Sequence, residues 1–439
     1  MPTVGAQRTT GIEWWRPLPR GFSKDARRVL AGRSARAFAD GLISLLLPVY
    51  LLRLGYGPFA IGSIITSTLV GSALLTLGLG AVAHRYPRRW MLLISCGLMA
   101  GTGAAFAVIH DYWPLLIIAF IGTLNPSSGD VSVFLPLEHT VLAETVDPKQ
   151  RTALFARYSL FGTLLGAVGT LAAALPDLAA ARLGLNPVAV LRAMFWVYAA
   201  LGAVAFIFYR ALSQAVEGNV AAGAPRRPLD ASKGIVYRLA ALFSLDSFGG
   251  GFFVQSLLAL WLFERFHLSV PTASAILFWS SFCAAISFLA AVPLAERIGL
   301  VNTMVFTHLP SNILLILVPF APNLTTAIVL LLARNALSQM DVPTRTSYVM
   351  AVVTPAERPA AASVTAVPRS LATAVSPILA GYLLGLSAFG WPLIIGGVLK
   401  GVYDVLLLIG FGKVRPAEER AGEATARPVS PGSRDRCAT

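Results

Sequence analysis

LTTAIVLLLARNALSQMDVPTRTSYVMAVV, residues 324–353, begins as a membrane helix and then fills with polar groups: Arg334, Asn335, Asp341 and Arg345. A charge at the bilayer centre costs about 2.5–3.5 kcal/mol even on a lenient insertion scale, so such residues face a bundle interior or a water-filled cavity. The stretch therefore sets both the solvent and the class: a membrane chain with a polar interior.

The rest of the chain agrees. Of 439 residues, 56% are hydrophobic and 13% charged, and the mean hydropathy is +0.70, unlike an ordinary soluble domain. Runs of the roughly 20 apolar residues that a hydrocarbon core requires recur near 35–55, 59–83, 90–109, 114–145, 152–175, 187–209, 238–264, 271–294, 301–320, 324–351, 361–386 and 390–412. The expectation is an all-α integral membrane protein of twelve transmembrane helices.

With the N-terminus cytoplasmic, the inside collects Arg8 to Arg33, Arg85, Arg88, Arg89, Lys149, Arg151, Arg210, Arg226, Arg227, Lys233, Arg297, Arg358 and the tail from Lys413 to Arg436. The outside keeps only Arg53, Arg182 and Arg265. This is the positive-inside pattern, with both termini cytoplasmic. The net charge of +14 is then a topology signal that needs no nucleic-acid partner, and the basic face meets anionic lipids. No secretory signal peptide is read in residues 1–30. Cys96, Cys283 and Cys437 form no disulfide or metal framework, and no metal or cofactor is expected. A bacterial cytoplasmic (inner) membrane and a functional monomer are the expected setting.

RALSQAVEGNVAAGAPRRPLDASKGIVY (210–237) is the long hydrophilic stretch that divides six spans from six. The parts are a basic segment 1–34, a six-helix bundle 35–209, a cytoplasmic loop 210–237, a second bundle 238–412 and a disordered tail 413–439. Features recur at an offset of a little over 200 residues: Asp40 with Asp246, and PLEHTVLAETVDPKQR (136–151) with PTRTSYVMAVVTPAER (343–358). Parallel repeats suit two bundles that rock about a central site.

GAVAHRYPRR (80–89) and its counterpart VPLAERIGLV (292–301) carry a family resemblance. They are similar to the loop between helices two and three of the major facilitator superfamily: Gly, three residues, Asp, Arg, any residue, Gly, then basic residues. Gly80, Arg85, Arg88 and Arg89 fit the first copy, where His84 and Pro87 depart from it; Glu296, Arg297 and Gly299 fit the second, where Val292 replaces Gly. SPILAG (376–381) resembles the Gly-Pro-x-x-Gly-Gly element of family antiporters, but stands in helix eleven, and GTLLGAVG (162–169) in helix five lacks the Pro. The resemblance covers about residues 35–412. It implies two pseudo-symmetric bundles, alternating access, and a two–three loop that latches the inward face.

Two latch pairings are open. In one, Glu138 pairs with Arg85, Arg88 or Arg89 and Arg345 with Glu296, within each half. In the other, Glu138 meets Arg345 across the halves. Arg334 falls near mid-bilayer, about 15 Å from the start of its helix at 1.5 Å per residue. Asp130, in TLNPSSGDVS (123–132), lies at similar depth. These two, with Asn335, Ser127 and Ser128, are the substrate or cavity candidates, or else structural partners between helices. Asn125 to Gly129 should break the fourth helix, which suits a cavity lining.

Candidate proton-coupling residues are Asp40, Asp341 and Asp246, because burial raises a carboxyl's pKa toward cellular pH, and His308, in FTHLPSN (306–312) beside Pro310. Arg36 and Asp40, and Lys400 and Asp404, are each spaced as (i, i+4) pairs. No Gly-x-x-x-x-Gly-Lys-Ser/Thr loop and no HExxH or Gly-x-Ser-x-Gly constellation occurs. The expected function is therefore secondary transport of a small solute, proton-coupled and exporting, and not enzymatic. Proton-coupled uptake of a polar or anionic metabolite is the alternative, and a sensor on a transporter fold a third class.

Overall fold

In the computed structural model, residues 23–82, 86–127, 132–145, 151–217, 229–230, 232–354 and 357–412 are described. The described chain is helical. The first half holds α1 (Lys24–Arg53), α2 (Pro58–Val82), α3 (Arg88–Val108), α4 (Tyr112–Ile121), α5 (Phe134–Thr145), α6 (Arg151–Ala172), α7 (Leu175–Leu183) and α8 (Pro187–Arg210). The second holds α9 (Lys233–Gly251), α10 (Gln255–Phe266), α11 (Val270–Ile298), α12 (Leu300–Leu317), α13 (Leu324–Ser338), α14 (Asp341–Val352), α15 (Arg358–Leu386) and α16 (Trp391–Phe411).

Ten helical stretches among the described residues are long and apolar enough to cross a bilayer. The sequence-based count of twelve adds 114–145 and 324–351, and each of these is two short helices. Helix α4 stops at Ile121 and the backbone from Gly122 to Ser127 is not helical. Helix α13 ends at Ser338, and α14 begins after Gln339 and Met340. The seventh span is likewise split, between α9 and α10, at Phe252–Val254. Broken backbone at membrane depth is tolerated where it is buried in protein or lines a cavity.

Local chemistry sets the helix starts. The Ser23 Oγ accepts the Ala26 N–H at 3.0 Å and opens α1. The Asn186, Ser269 and Asn323 side chains do the same for α8, α11 and α13, each satisfying an amide the helix cannot. Gly299 alone links α11 to α12, at φ 86°, a left-handed conformation open to glycine.

Small residues let the helices approach backbone to backbone, the usual packing device in lipid. A Cβ on Gly41 of α1 would come 1.9 Å from the Gly166 carbonyl oxygen of α6. Between the halves, α2 packs on α15, α6 on α11 and α1 on α10. Gly62 and Gly381 meet there so closely that a Cβ on either would lie 2.9 Å from the other's Cα.

Hydrogen bonds between described residues cross the seam only toward the face opposite the basic one. The Ser256 Oγ donates to the Ser44 carbonyl at 2.6 Å and the Pro126 carbonyl at 3.0 Å. The Gln255 Nε2 donates to the Thr170 Oγ1 at 2.9 Å. The halves are tied at that face.

Candidate functional site

Each half contains a buried network of charges. In the first, Arg36 of α1 donates from Nη2 to the Glu138 Oε2 of α5 at 2.5 Å and from Nε to the Tyr209 Oη at 3.1 Å. Its guanidinium lies 3.8 Å from the centre of the Phe134 ring. The Tyr158 hydroxyl donates to Glu138 at 2.5 Å and the Tyr209 hydroxyl donates to its other oxygen. Glu138 is fully buried and Arg36 nearly so. A buried pair is tolerated only with its remaining lone pairs and protons satisfied, and the two tyrosines supply that.

In the second half, Asp246 of α9 is the hub. Its Oδ1 accepts from the Lys400 Nζ of α16 at 2.5 Å and its Oδ2 from the Arg345 Nη2 of α14 at 2.8 Å. Arg345 also binds Asp341 one turn away. The His308 Nδ1 lies 2.8 Å from the Asp404 Oδ1, and the Asn312 Nδ2 donates to the Asp404 Oδ2 at 2.8 Å. The His308 Nε2 is 3.8 Å from the Asp246 Oδ1. All these residues are buried.

Arg334 of α13 stands apart. Its Nη1 donates to the Asn335 Oδ1 at 2.7 Å and its guanidinium faces the Phe253 ring at 5.0 Å, beside the break before α10. Its Nε is buried and has no hydrogen-bond partner among the described residues. Asn335 in turn bonds back to the Leu331 carbonyl at 3.0 Å, which fixes its amide toward Arg334.

Several expected partners change. Arg36 reaches Glu138 instead of Asp40; Asp40 is buried and accepts no hydrogen bond among the described residues. Lys400 reaches Asp246 instead of Asp404. The pairing of Glu138 with Arg345 across the halves is not seen among the described residues, and the pairing within each half involves Arg85 and the Glu296 side chain, which lie outside them. Glu138 meets Arg36, and Arg345 meets Asp246 and Asp341. The physical reason is burial: both side chains point into their own bundles, where a charge requires a desolvated partner, while Arg297 lies exposed at the end of its helix.

The backbone N–H groups of Arg88 and Arg89 instead donate to the Glu217 carboxylate, at 2.7 and 3.1 Å. An acid here meets the open amides and positive end of α3. Glu357 does the same before α9, accepting from the Asp230 N–H at 2.6 Å and the Ser232 N–H at 3.2 Å. Hydrogen bonds from Ser232, Asp230 and Thr354 hold its carboxyl down at about 2.

Ser127 closes a turn on the Asn125 Oδ1, at 2.8 Å from its hydroxyl. Asp130, Ser128 and Arg85 lie outside the described residues, as does the Glu296 side chain. Sequence reasoning did not single out Tyr158, Tyr209, Asn312, Glu217 and Glu357. The two carboxylates meet amides more than 120 residues away in sequence, so neither carried a local signal.

The Major Facilitator Superfamily sequence model matches residues 29–254 and 239–436, which takes in both halves. The chain belongs to the major facilitator superfamily. A relative in Saccharomyces cerevisiae, the uncharacterized membrane protein YJR124C, is 24% identical over 422 residues, covering 89% of this chain and 94% of that one. The crystal structure of the nucleoside transporter NupG superposes with a TM-score of 0.67 at 16% identity, over 89% of this chain and 99% of NupG. That of the human organic anion transporter MFSD10 does so with a TM-score of 0.62 at 19% identity, over 88% and 99%. At these identities the superfamily structures share the fold. As a superfamily member the chain is a multi-pass membrane protein that works by secondary transport of a small molecule through alternating access.

Proposed function

We propose that the chain exports a small organic solute bearing an anionic or polar group, in exchange for protons. The observation that carries this reading is Arg334. It is a guanidinium at mid-span beside a broken helix, with a buried N–H that has no hydrogen-bond partner among the described residues. A buried donor without a partner is costly, and a carboxylate or phosphate on the solute would remove that cost through a charge-assisted bond. Asp130 and Ser128 complete the site in this reading, with Ser127 and Asn335 supporting it. The human relative in fold, named an organic anion transporter, is in keeping with it.

The basic face is cytoplasmic in this proposal, with both termini on that side and anionic lipids against it. The seam tied at the other face is then an inward-facing arrangement. The setting is a bacterial inner membrane and the working unit a monomer. Arg88, Arg89, Arg297, Glu296 and Arg85 act at the inward face. Asp40, Asp246, Asp341 and His308 form the set from which the proton carrier comes.

Uptake by proton symport is the second reading, favoured by the Pro-containing SPILAG element standing in α15 while residues 162–169 of α6 lack it. One experiment separates the two. A bacterium stripped of its efflux pumps expresses the chain or its Arg334→Ala variant at equal membrane abundance, and growth is measured across toxic organic anions, drugs and metalloids. Export predicts protection that Arg334→Ala removes; uptake predicts sensitisation that it removes. An effect that Arg334→Ala leaves unchanged refutes the assignment of the site.

A further inference from the structure

The second-half network holds a charge imbalance. Ion-pair contacts join three carboxylates, Asp246, Asp341 and Asp404, to two permanent cations, Arg345 and Lys400, and to His308. Both permanent cations reach Asp246, and Arg345 reaches Asp341 as well. Asp404, fully buried, is left with the neutral Asn312 amide and the His308 imidazole. A bare carboxylate in that place is expensive. One proton held by His308 and Asp404 together removes the cost.

The ring is placed to hold it. Nδ1 addresses Asp404 at 2.8 Å, and Nε2 faces the Asp246 Oδ1 at 3.8 Å, the same oxygen that Lys400 binds at 2.5 Å. As an imidazolium both nitrogens donate, one toward each carboxylate. The charged and titratable groups around it come from every packed element. Helix α9 gives Asp246; α16 gives Lys400, Tyr403 and Asp404; α14 gives Asp341 and Arg345. Helix α13 gives Arg334, whose carbonyl accepts from Ser311 of α12 at 3.2 Å, and α11 gives Arg297, exposed at its end. Lys400 and Arg345 gather on Asp246, and neither is in ion-pair contact with Asp404 among the described residues.

We propose that His308, held by Asp404, binds the coupling proton, and that its charge controls how tightly Asp246 holds Arg345 and Lys400. With the ring charged, three cations share Asp246. With the ring neutral, Asp246 is left to Arg345 and Lys400, and α14 and α16 are drawn onto α9. The assignment deepens the proton-driven reading above and rests on it, choosing His308 from the candidate set.

The test uses the full chain in nanodiscs, with Cys96, Cys283 and Cys437 replaced and spin labels on Lys24→Cys and Lys233→Cys. These exposed positions start α1 and α9. The proposal expects the label distance to change between pH 5 and 9. His308→Gln should abolish the change, while His110→Gln and His139→Gln keep it. A wild-type response in His308→Gln overturns the proposal. Should His308→Gln fail to fold, nitrogen-15 NMR of a chain that retains His308 as its one histidine gives a second reading. A ring that titrates in step with the distance supports the assignment, and a ring unchanged from pH 5 to 9 overturns it. Transport in the growth panel alongside a wild-type pH response in His308→Gln would sink this inference and leave the transport reading standing. A His308-dependent response with no transport would do the reverse.

Discussion

Glu138 of α5 and Arg345 of α14 occupy equivalent places in the two halves with opposite charge, and each finds its opposite on the first helix of its own half. Glu138 holds Arg36 of α1 at 2.5 Å; Arg345 holds Asp246 of α9 at 2.8 Å. Acid and base have changed sides together, so the pairing is kept while its polarity is inverted. The Arg36–Glu138 pair is closed off by tyrosines, while Asp246 is shared among Lys400, Arg345 and His308.

That difference predicts different responses to charge reversal. Glu138→Gln alone should cost about 3–5 kcal/mol, because it strands a buried guanidinium. Arg36→Glu with Glu138→Arg should recover most of it. Asp246→Arg with Arg345→Asp should recover little, since the new arginine meets Lys400 and the new aspartate meets Asp341. Thermal unfolding in detergent of Glu138→Gln, the four single reversals and the two double variants checks this. Equal recovery in both halves would count against the shared-hub description.

How much of this was legible in the sequence follows the same line. The membrane class, the repeat and the break in the fourth span could be read because hydropathy, offset and Asn-Pro chemistry are local. The register that equates Glu138 with Arg345 and Asp40 with Asp246 could be read too. Partner choice could not. Arg36 is spaced to reach Asp40 and Lys400 to reach Asp404, yet both long side chains turn across to another helix, because the bundle buries a carboxylate there. The (i, i+4) spacing expresses what one helix permits, and the third dimension decides between permitted partners. Arg334 was singled out by its depth alone, near the middle of its span, and its role there is the proposal made above.

The seam at the face opposite the basic one hangs on Ser256. Ser256→Ala removes one hydroxyl proton shared between the Ser44 and Pro126 carbonyls, worth about 0.5–1.5 kcal/mol net, and leaves the Ser256 N–H on the Pro126 carbonyl at 3.3 Å. A shift of roughly 2- to 12-fold toward opening at that face is expected. Spin labels at the exposed positions Gly57 and Leu386 should report longer distances in the variant. Unchanged distances would show that helix packing alone closes the face.

Gly62→Val should act at the same seam by steric means. The added Cβ would lie 2.5 Å from the Pro377 carbonyl oxygen and 2.9 Å from the Gly381 Cα, so backbone must move at a cost of about 1–3 kcal/mol. Lower unfolding temperature together with easier opening is the expected result. Gly78→Val, which meets nothing within 4 Å, serves as the control.

Glu357 predicts an acid limb. Its carboxyl is held at about 2 in the folded chain against an ordinary 4.5. A depressed folded value stabilises fully above the unfolded value and is lost as pH falls through the folded one. The unfolding temperature in detergent should therefore hold above pH 5 and decline from about pH 4.5 toward 2. Glu357→Gln should flatten that limb and lower the unfolding temperature at neutral pH. A variant with the wild-type limb would mean that other carboxylates produce it.

The central claim is that Arg334 takes an anionic group whose passage is tied to protons. The most direct measurement is the internal pH of proteoliposomes carrying a trapped dye, challenged with gradients of organic anions. Wild-type chain should convert an anion gradient into a pH change, and Arg334→Ala, inserted to the same level, should not. An equal pH change in Arg334→Ala, or solute flux in the wild type with no pH change at all, would contradict the account.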